Sequence, residues 1–176
     1  DLSAEVPIER VDNQGIRLPA DPRVFTPAAL EVVLSGKFDR RHARNIASYL
    51  GGMARFADIG GGIGFIALKA RLTLPSLDVL SQDDRGLLVE LGRAIARDQF
   101  ADEPGTVQFS DHALRRDDDP ADSYPGLADL LATFRPDALR LAPSRLPPAA
   151  LTALGLRGVQ RLILPCAEGD DLAAIR

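Results

Sequence analysis

Apolar residues along most of the chain fall in short runs that alternate with longer segments of helical spacing. The short runs predict strands, because the buried strands of a parallel sheet are nearly continuous apolar stretches. Regular alternation of strands and helices is typical of a doubly wound α/β fold with a mostly parallel sheet. The predicted strands are Arg55–Ile59, Leu77–Ser81, Val107–Ser110, Ala138–Ala142 and Gln160–Leu164, and the predicted helices are Gly64–Leu72, Asp84–Phe100, Tyr124–Phe134 and Pro148–Leu156.

The chain before the first predicted strand has a different pattern. Its beginning, to about Arg23, is polar and rich in Pro and Gly, which is typical of an irregular arm or a short hairpin around Gly15. Thr26 and Pro27 predict a helix that ends at Gly36, and a second helix is expected over Arg41–Leu50.

This division predicts an N-terminal arm with helices over residues 1–53 and an α/β domain over residues 54–176, forming one compact unit. A chain of 176 residues is long enough for one domain with a buried core.

Composition excludes several classes of protein. The net charge is −4 without a basic stripe, which argues against a nucleic-acid surface. A single cysteine, Cys166, cannot form a disulfide framework within the chain, and His42 and His112 are too few to indicate a metal site. No apolar run approaches the ~20 residues that span a bilayer, and the beginning of the chain lacks a signal-peptide pattern. We therefore expect a cytoplasmic protein without a membrane partner.

The segment Asp58–Gly64, with the sequence Asp-Ile-Gly-Gly-Gly-Ile-Gly, lies between a predicted strand and a predicted helix. A glycine loop at this place exposes backbone N–H groups and a helix N-terminus to a ligand. The segment fits the Asp-x-Gly-x-Gly-x-Gly pattern of enzymes that bind S-adenosylmethionine (AdoMet). Gly62–Ala67 also fits the dinucleotide pattern Gly-x-Gly-x-x-Ala, and a third interpretation is that the glycines only allow close strand–helix packing.

The charge of Asp58 favours AdoMet among these interpretations. A carboxylate repels the pyrophosphate of a dinucleotide. The same carboxylate can pair with the ammonium group of AdoMet while loop N–H groups bind the cofactor's carboxylate. We therefore predict AdoMet as the cofactor, held by Asp58 and by Gly60, Gly61, Gly62 and Gly64.

Polar residues at the ends of the next two predicted strands complete the predicted cofactor site. An acid about 20 residues beyond the glycines is expected to bind the ribose hydroxyls. Asp83 has this position, Ser81 could offer one weaker hydrogen bond, and Asp84 is equally plausible as a helix cap. After the third strand, Asp111 could accept from the adenine amino group. His112 could be a general base, although a lone histidine in a loop is more often solvated.

The order of these pieces resembles the FkbM-type AdoMet-dependent methyltransferases, a class I family that methylates hydroxyl groups of sugars or natural products. The resemblance extends over Ile16–Leu164, and the glycine motif is its only segment that is specific by itself. The matching segments are Ser35–Asp39 (the family's Gly-x-Tyr-Glu element), Asp58–Phe65 (the glycine motif), Asp111–Leu114 (Asn-x-Ala-Leu), and Leu127–Leu131 with Pro136–Leu141 before the fourth strand.

The chain departs from the family at several acids. The family's Lys-Ile-Asp-x-Glu-Gly segment corresponds to Arg140–Arg145, which retains neither acid. The second-strand glutamate falls near Ser81, and the fifth-strand acid falls near Pro165. Only the short tail Pro165–Arg176 follows the last predicted strand, so we expect the family's closing helix and antiparallel strand pair to be missing or to lie outside this sequence. The edge that they would cover could then pair with a second copy in a homodimer.

Two functions remain open at this stage. The resemblance implies an O-methyltransferase acting on a small molecule or sugar, whose acceptor oxygen must lose a proton to a base. The candidates for that base are His112, Asp111 and Asp39. The lost acids favour the alternative, a non-catalytic binding or assembly module with the methyltransferase fold.

Overall fold

In a computed structural model, residues 8–103, 107–115, 124–142, 156 and 158–164 are described. Strands β1 (Arg10–Asn13) and β2 (Ile16–Pro19) form an antiparallel hairpin, which confirms the hairpin alternative for the beginning of the chain. Gly15 has a φ of 92° at the turn, a conformation that suits glycine because it has no Cβ.

A sheet of five parallel strands follows, in the order β5-β4-β3-β6-β7. The order reverses between β3 and β6, so the sheet is doubly wound as the sequence predicts. Each strand begins and ends within one residue of its predicted bounds. The strands are β3 (Arg55–Ile59), β4 (Asp78–Gln82), β5 (Val107–Ser110), β6 (Ala138–Leu141) and β7 (Arg161–Ile163).

Six helices accompany these strands in the described part of the chain, and none is long and apolar enough to cross a membrane. The predicted helix Pro148–Leu156 lies outside the described residues, apart from Leu156 itself. The residues after position 164 are not described either, so the absence of the closing antiparallel strands stays a prediction. The helices are α1 (Pro27–Leu34), α2 (Arg40–Ala43), α3 (Ile46–Leu50), α4 (Phe65–Thr73), α5 (Gly86–Gln99) and α6 (Pro125–Phe134).

The prediction of one helix over Arg41–Leu50 was wrong, because α2 and α3 are separated at Arg44 and Asn45. Asn45 has φ −107° and ψ 5°, outside the helical range. Asparagine favours such a position because its short polar side chain competes with helical hydrogen bonding. At the start of α1 the prediction is confirmed, since the Thr26 hydroxyl accepts a hydrogen bond from the N–H of Ala29.

The two faces of the sheet pack against different elements. Phe56 and Ala138 belong to a buried cluster that also contains residues of the hairpin, α1, α3, α4 and α5. Ala57 and Leu139 belong to a second buried cluster on the face covered by α6. Because side chains alternate along a strand, Asp58 and Arg140, two positions after Phe56 and Ala138, lie on the first face.

Candidate functional site

The register of the parallel strands places three polar residues side by side. Asp58 on β3 is opposite Ser81 on β4 and opposite Arg140 on β6. All three lie near the carboxyl ends of their strands, next to the point where the strand order reverses. In open α/β sheets that point is where ligands bind.

Asp58 and Arg140 form an ion pair inside the protein. Nη1 of Arg140 donates to Oδ1 of Asp58 at 2.6 Å, and the two side chains are 10% and 0% exposed, respectively. Oδ2 of Asp58 is buried without a hydrogen-bond partner. One oxygen of the carboxylate is therefore already paired with a guanidinium of the same chain, and the other has no hydrogen-bond partner in the described structure.

The electrostatics of this pair reflect its burial. Burial raises the pKa of the Asp58 carboxyl above its ordinary value; Arg140 opposes this shift, while Asp39 and Asp83 add to it. Burial lowers the pKa of the Arg140 guanidinium, but the charge of Asp58, their hydrogen bond and the charge of Asp39 outweigh burial and raise it. The charge of Asp39 therefore acts on both members of the pair.

The glycine loop passes directly over Asp58. Gly60, Gly62 and Gly64 have φ values of 72°, 62° and 73°, which only glycine adopts without strain. A Cβ on Gly61 would lie 2.8 Å from Oδ2 of Asp58 and 2.9 Å from Oγ of Ser81. The loop therefore needs glycines both for its backbone conformation and for its close approach to the strand ends.

The loop N–H groups form hydrogen bonds within the protein. Those of Gly60 and Gly61 donate to the carbonyl oxygen of Gln82 at 2.8 and 3.0 Å, and that of Gly64 donates to the carbonyl of Gly61 at 3.0 Å. The N–H of Gly62 donates to Oδ2 of Asp83 at 2.9 Å. What the loop offers a ligand is therefore the N-terminus of α4, whose first-turn N–H groups have no partner within the helix.

Asp83 is the acid that the sequence predicts for the ribose, and it is 1% exposed. Arg85 donates to its two oxygens from Nε at 2.7 Å and from Nη2 at 2.8 Å. Burial raises the pKa of the Asp83 carboxyl, but hydrogen bonds from Arg85 and from the N–H of Gly62 together lower it below its usual range. The Arg85 side chain is 54% exposed and covers the acid from the solvent side. Arg85, and not Asp84, precedes the first residue of α5.

Asp39 lies at this site together with a histidine that sequence reasoning missed. Oδ1 of Asp39 is 2.5 Å from Nδ1 of His42, and Asp39 precedes α2 in a left-handed conformation with φ 47°. His42 and Arg140 line the same cavity. A carboxylate that holds Nδ1 of an imidazole leaves Nε2 free to accept a proton. The Asp-x-x-His spacing at the start of a helix was the available sequence signal.

Asp111 and His112 are placed elsewhere. Both are exposed after β5, which is separated from β3 by β4 and so lies about 10 Å from it across the sheet. The His112 carbonyl accepts from Nε2 of Gln82, and its side chain lines a different cavity together with Phe134. The catalytic roles of Asp111 and His112 stay predictions that this geometry does not support.

No metal site emerges, since the described residues contain no group of three His, Cys, Asp or Glu side chains that could hold an ion.

No protein-family model matches the chain, and no curated protein matches it. Similar solved structures include residues 961–1257 of StiE O-MT, with 15% identity, coverage of 72% of this chain and 41% of that one, and a TM-score of 0.46. The [4+2]-cyclase SpnF has 18% identity, coverage of 90% and 47%, and a TM-score of 0.44. The plantazolicin methyltransferase BpumL, solved with a desmethylPZN analog and SAH, has 16% identity, coverage of 77% and 51%, and a TM-score of 0.42.

The chain thus spans about half or less of the length of these structures. Identities and TM-scores of this size carry no argument about activity. The fold itself follows from the strand order of this protein: a five-stranded parallel α/β sheet of the Rossmann-like kind.

Proposed function

We propose that this chain binds AdoMet above the glycine loop and transfers its methyl group to an oxygen of a small molecule. The observation that carries the proposal is the loop itself: three left-handed glycines lead into α4 at the reversal point of the sheet, between buried acids on two neighbouring strand ends. Asp58 is the penultimate residue of β3 and Asp83 follows β4.

Part of this arrangement fits the cofactor as it stands. The first-turn N–H groups of α4 suit its carboxylate. Asp83 suits the ribose hydroxyls once Arg85 turns away. The Arg85 side chain is 54% exposed, whereas Asp83 is buried, so the hydroxyls must replace the hydrogen bonds that Arg85 gives up.

Asp58 fits less directly. The carboxylate is fully buried and one oxygen is paired with Arg140, so contact with the cofactor's ammonium requires a change in this pair. Oδ2 of Asp58 has no hydrogen-bond partner in the described structure, so it is the oxygen available to the ammonium group.

AdoMet, when bound, would supply an electrophilic methyl group on its sulfonium, with S-adenosylhomocysteine as the leaving group when an acceptor oxygen takes the methyl. The chain's own contribution is to hold the acceptor and remove its proton. His42, oriented by Asp39 through Nδ1, would accept that proton at Nε2. This pair replaces His112 and Asp111 as the base that the geometry favours.

Calorimetric titration with AdoMet and with S-adenosylhomocysteine tests the first step. We expect saturable binding of both, followed by methyl transfer to a hydroxyl acceptor in a screen of sugars and small alcohols. If a folded protein binds neither compound, the proposal is wrong.

The second candidate is a non-catalytic module, and the Asp58–Arg140 pair favours it. A chain that has exchanged cofactor contacts for internal ion pairs could keep the fold for binding or assembly alone. Membership in the FkbM-type family, a cytoplasmic location and a homodimer across a sheet edge remain predictions that accompany either candidate.

A further inference from the structure

A cavity of about 490 Å³ lies beside Arg140, between α2, α3 and the strands β6 and β7. Three arginines line it: Arg41, Arg44 and Arg140. The described residues that line this cavity include no Asp or Glu. A concentration of positive charge in a chain of net charge −4 is a local feature and does not follow from composition.

Acids among the described residues balance only one of these three arginines, Arg140. Asp58 occupies Nη1 of Arg140, whose side chain is only 10% exposed, and leaves the other N–H donors of the guanidinium. Arg41 and Arg44 form no ion pair with the described residues, and His42 already pairs with Asp39. An anion in the cavity would therefore meet a nearly buried guanidinium at its wall and two unpaired ones around it.

Apolar residues form part of the remaining lining, beside the polar His42, Asn45 and Tyr49. Ile46 of α3, Ile66 of α4 and Ile163 of β7 line the cavity. Arg161 fixes α3 against β7, because its Nη1 donates to the carbonyl of Ser48 at 3.1 Å and to that of Tyr49 at 2.6 Å. A ligand with an apolar body could bury that body here while its charged end meets the arginines.

We propose that this cavity binds a small molecule that carries a phosphate monoester on an apolar body. A phosphate monoester has a charge between about −1.5 and −2 at neutral pH, which matches the two unpaired guanidiniums better than a carboxylate does. Arginine also binds phosphate oxygens in a bidentate manner. The inference concerns binding alone and does not depend on methyl transfer or on AdoMet.

Phenyl phosphate is a suitable probe, and the full chain can be titrated with it by calorimetry at low ionic strength. We expect one saturable site whose affinity falls as salt is added. Phenol, which lacks the charge, and inorganic phosphate, which lacks the apolar body, should each bind more weakly. Absence of saturation with millimolar phenyl phosphate would overturn the proposal.

Substitutions then locate the site. Arg41→Gln and Arg44→Gln should each weaken phenyl phosphate by about tenfold or more, as expected for a lost charge-assisted hydrogen bond. Arg40→Gln removes the same charge from α2 outside the cavity lining and should change the affinity by less than about twofold. Equal losses of affinity in all three variants would mean that a basic surface attracts the anion in general. That result would overturn the proposal that the cavity is the binding site.

A variant of the opposite wall tests the same site independently. Leu162 is 37% exposed on β7, so Leu162→Glu should leave the fold intact while it places a carboxylate in the cavity. We expect phenyl phosphate binding to be lost with an unchanged circular dichroism spectrum. Undiminished binding in this folded variant would contradict the proposal.

Discussion

Asp58 and Arg140 lie opposite each other on adjacent parallel strands and form a buried ion pair with 2.6 Å between Oδ1 and Nη1. Their pairing connects the glycine loop with the cavity between α2, α3, β6 and β7. Asp58 lies under the loop proposed for the cofactor, and Arg140 lines the cavity proposed for the phosphate monoester. Removing either side chain therefore changes both the stability and the binding properties of this edge of the sheet.

Arg140→Met should destabilise the protein by about 3–5 kcal/mol, because it leaves the Asp58 carboxylate buried and unpaired. Urea unfolding measures this loss. The double variant Asp58→Asn with Arg140→Met removes the charge as well and should recover a large part of the free energy of unfolding. If the two single effects simply add, the pair is not coupled as its geometry indicates.

Arg85→Ala should increase the affinity for AdoMet, since it uncovers the carboxylate of Asp83. The expected gain is about fivefold, or about 1 kcal/mol, because the ribose hydroxyls no longer compete with Arg85 for a carboxylate that is 1% exposed. Arg23→Ala is the matched control, because Arg23 donates to both oxygens of Asp21 through the same Asp-x-Arg arrangement away from the loop. Weaker AdoMet binding in Arg85→Ala alone would show that Arg85 contacts the ligand and does not cover its site.

Much of the sheet could be predicted from the sequence, because apolar runs mark buried strands wherever those strands pair. The glycine loop could be predicted too, since its conformation depends on residues that are adjacent in sequence. The partner of Asp58 could not be predicted from the sequence, because Arg140 is 82 positions away and only the β3–β6 register brings the two residues together. Two of the bases predicted from the sequence, His112 and Asp111, follow a strand, and the third, Asp39, was predicted without its partner His42 on the short helix before the sheet.

His42→Ala should reduce methyl transfer by about 10²–10⁴-fold at saturating acceptor while AdoMet affinity stays unchanged, as expected for a lost general base. Asp39→Asn should cause a smaller loss, since it removes the partner of Nδ1 but keeps the imidazole. His112→Ala provides the comparison, because its side chain lines another cavity. A larger loss of methyl transfer in His112→Ala than in His42→Ala would show that His112, the histidine predicted from the sequence, is the general base.

Gly61→Ala should disturb the loop, because its Cβ would lie 2.8 Å from Oδ2 of Asp58. Overpacking of this kind costs about 1–3 kcal/mol, and the displaced loop should also bind AdoMet more weakly. Gly86→Ala is the control: a Cβ there meets nothing within 4 Å, and in the first turn of α5 it should stabilise the protein by up to about 1 kcal/mol. Thermal unfolding and calorimetry of both variants would separate packing at Gly61 from a general effect of adding a methyl group.

The pH dependence of stability should report on Asp83. Its pKa is lowered in the folded protein, chiefly by Arg85 against the opposing effect of burial, so the unfolded chain binds the proton more readily near the ordinary aspartate pKa of about 3.9. The stabilisation is therefore complete above that pKa and is lost as the pH falls through the lower folded value. Asp83→Asn removes the charge but keeps an oxygen that can accept from the N–H of Arg85.

We expect the free energy of unfolding of the parent protein to exceed that of Asp83→Asn by a nearly constant amount between about pH 6 and pH 7. The difference should shrink as the pH is lowered below about 4, because protonation of Asp83 then removes its charge-assisted bonds with Arg85 and Gly62 in the parent protein as well. Urea unfolding at a series of pH values measures this difference directly. If the difference in the free energy of unfolding stays constant down to about pH 3, the Asp83 side chain stabilises the fold by its shape and not by its charge.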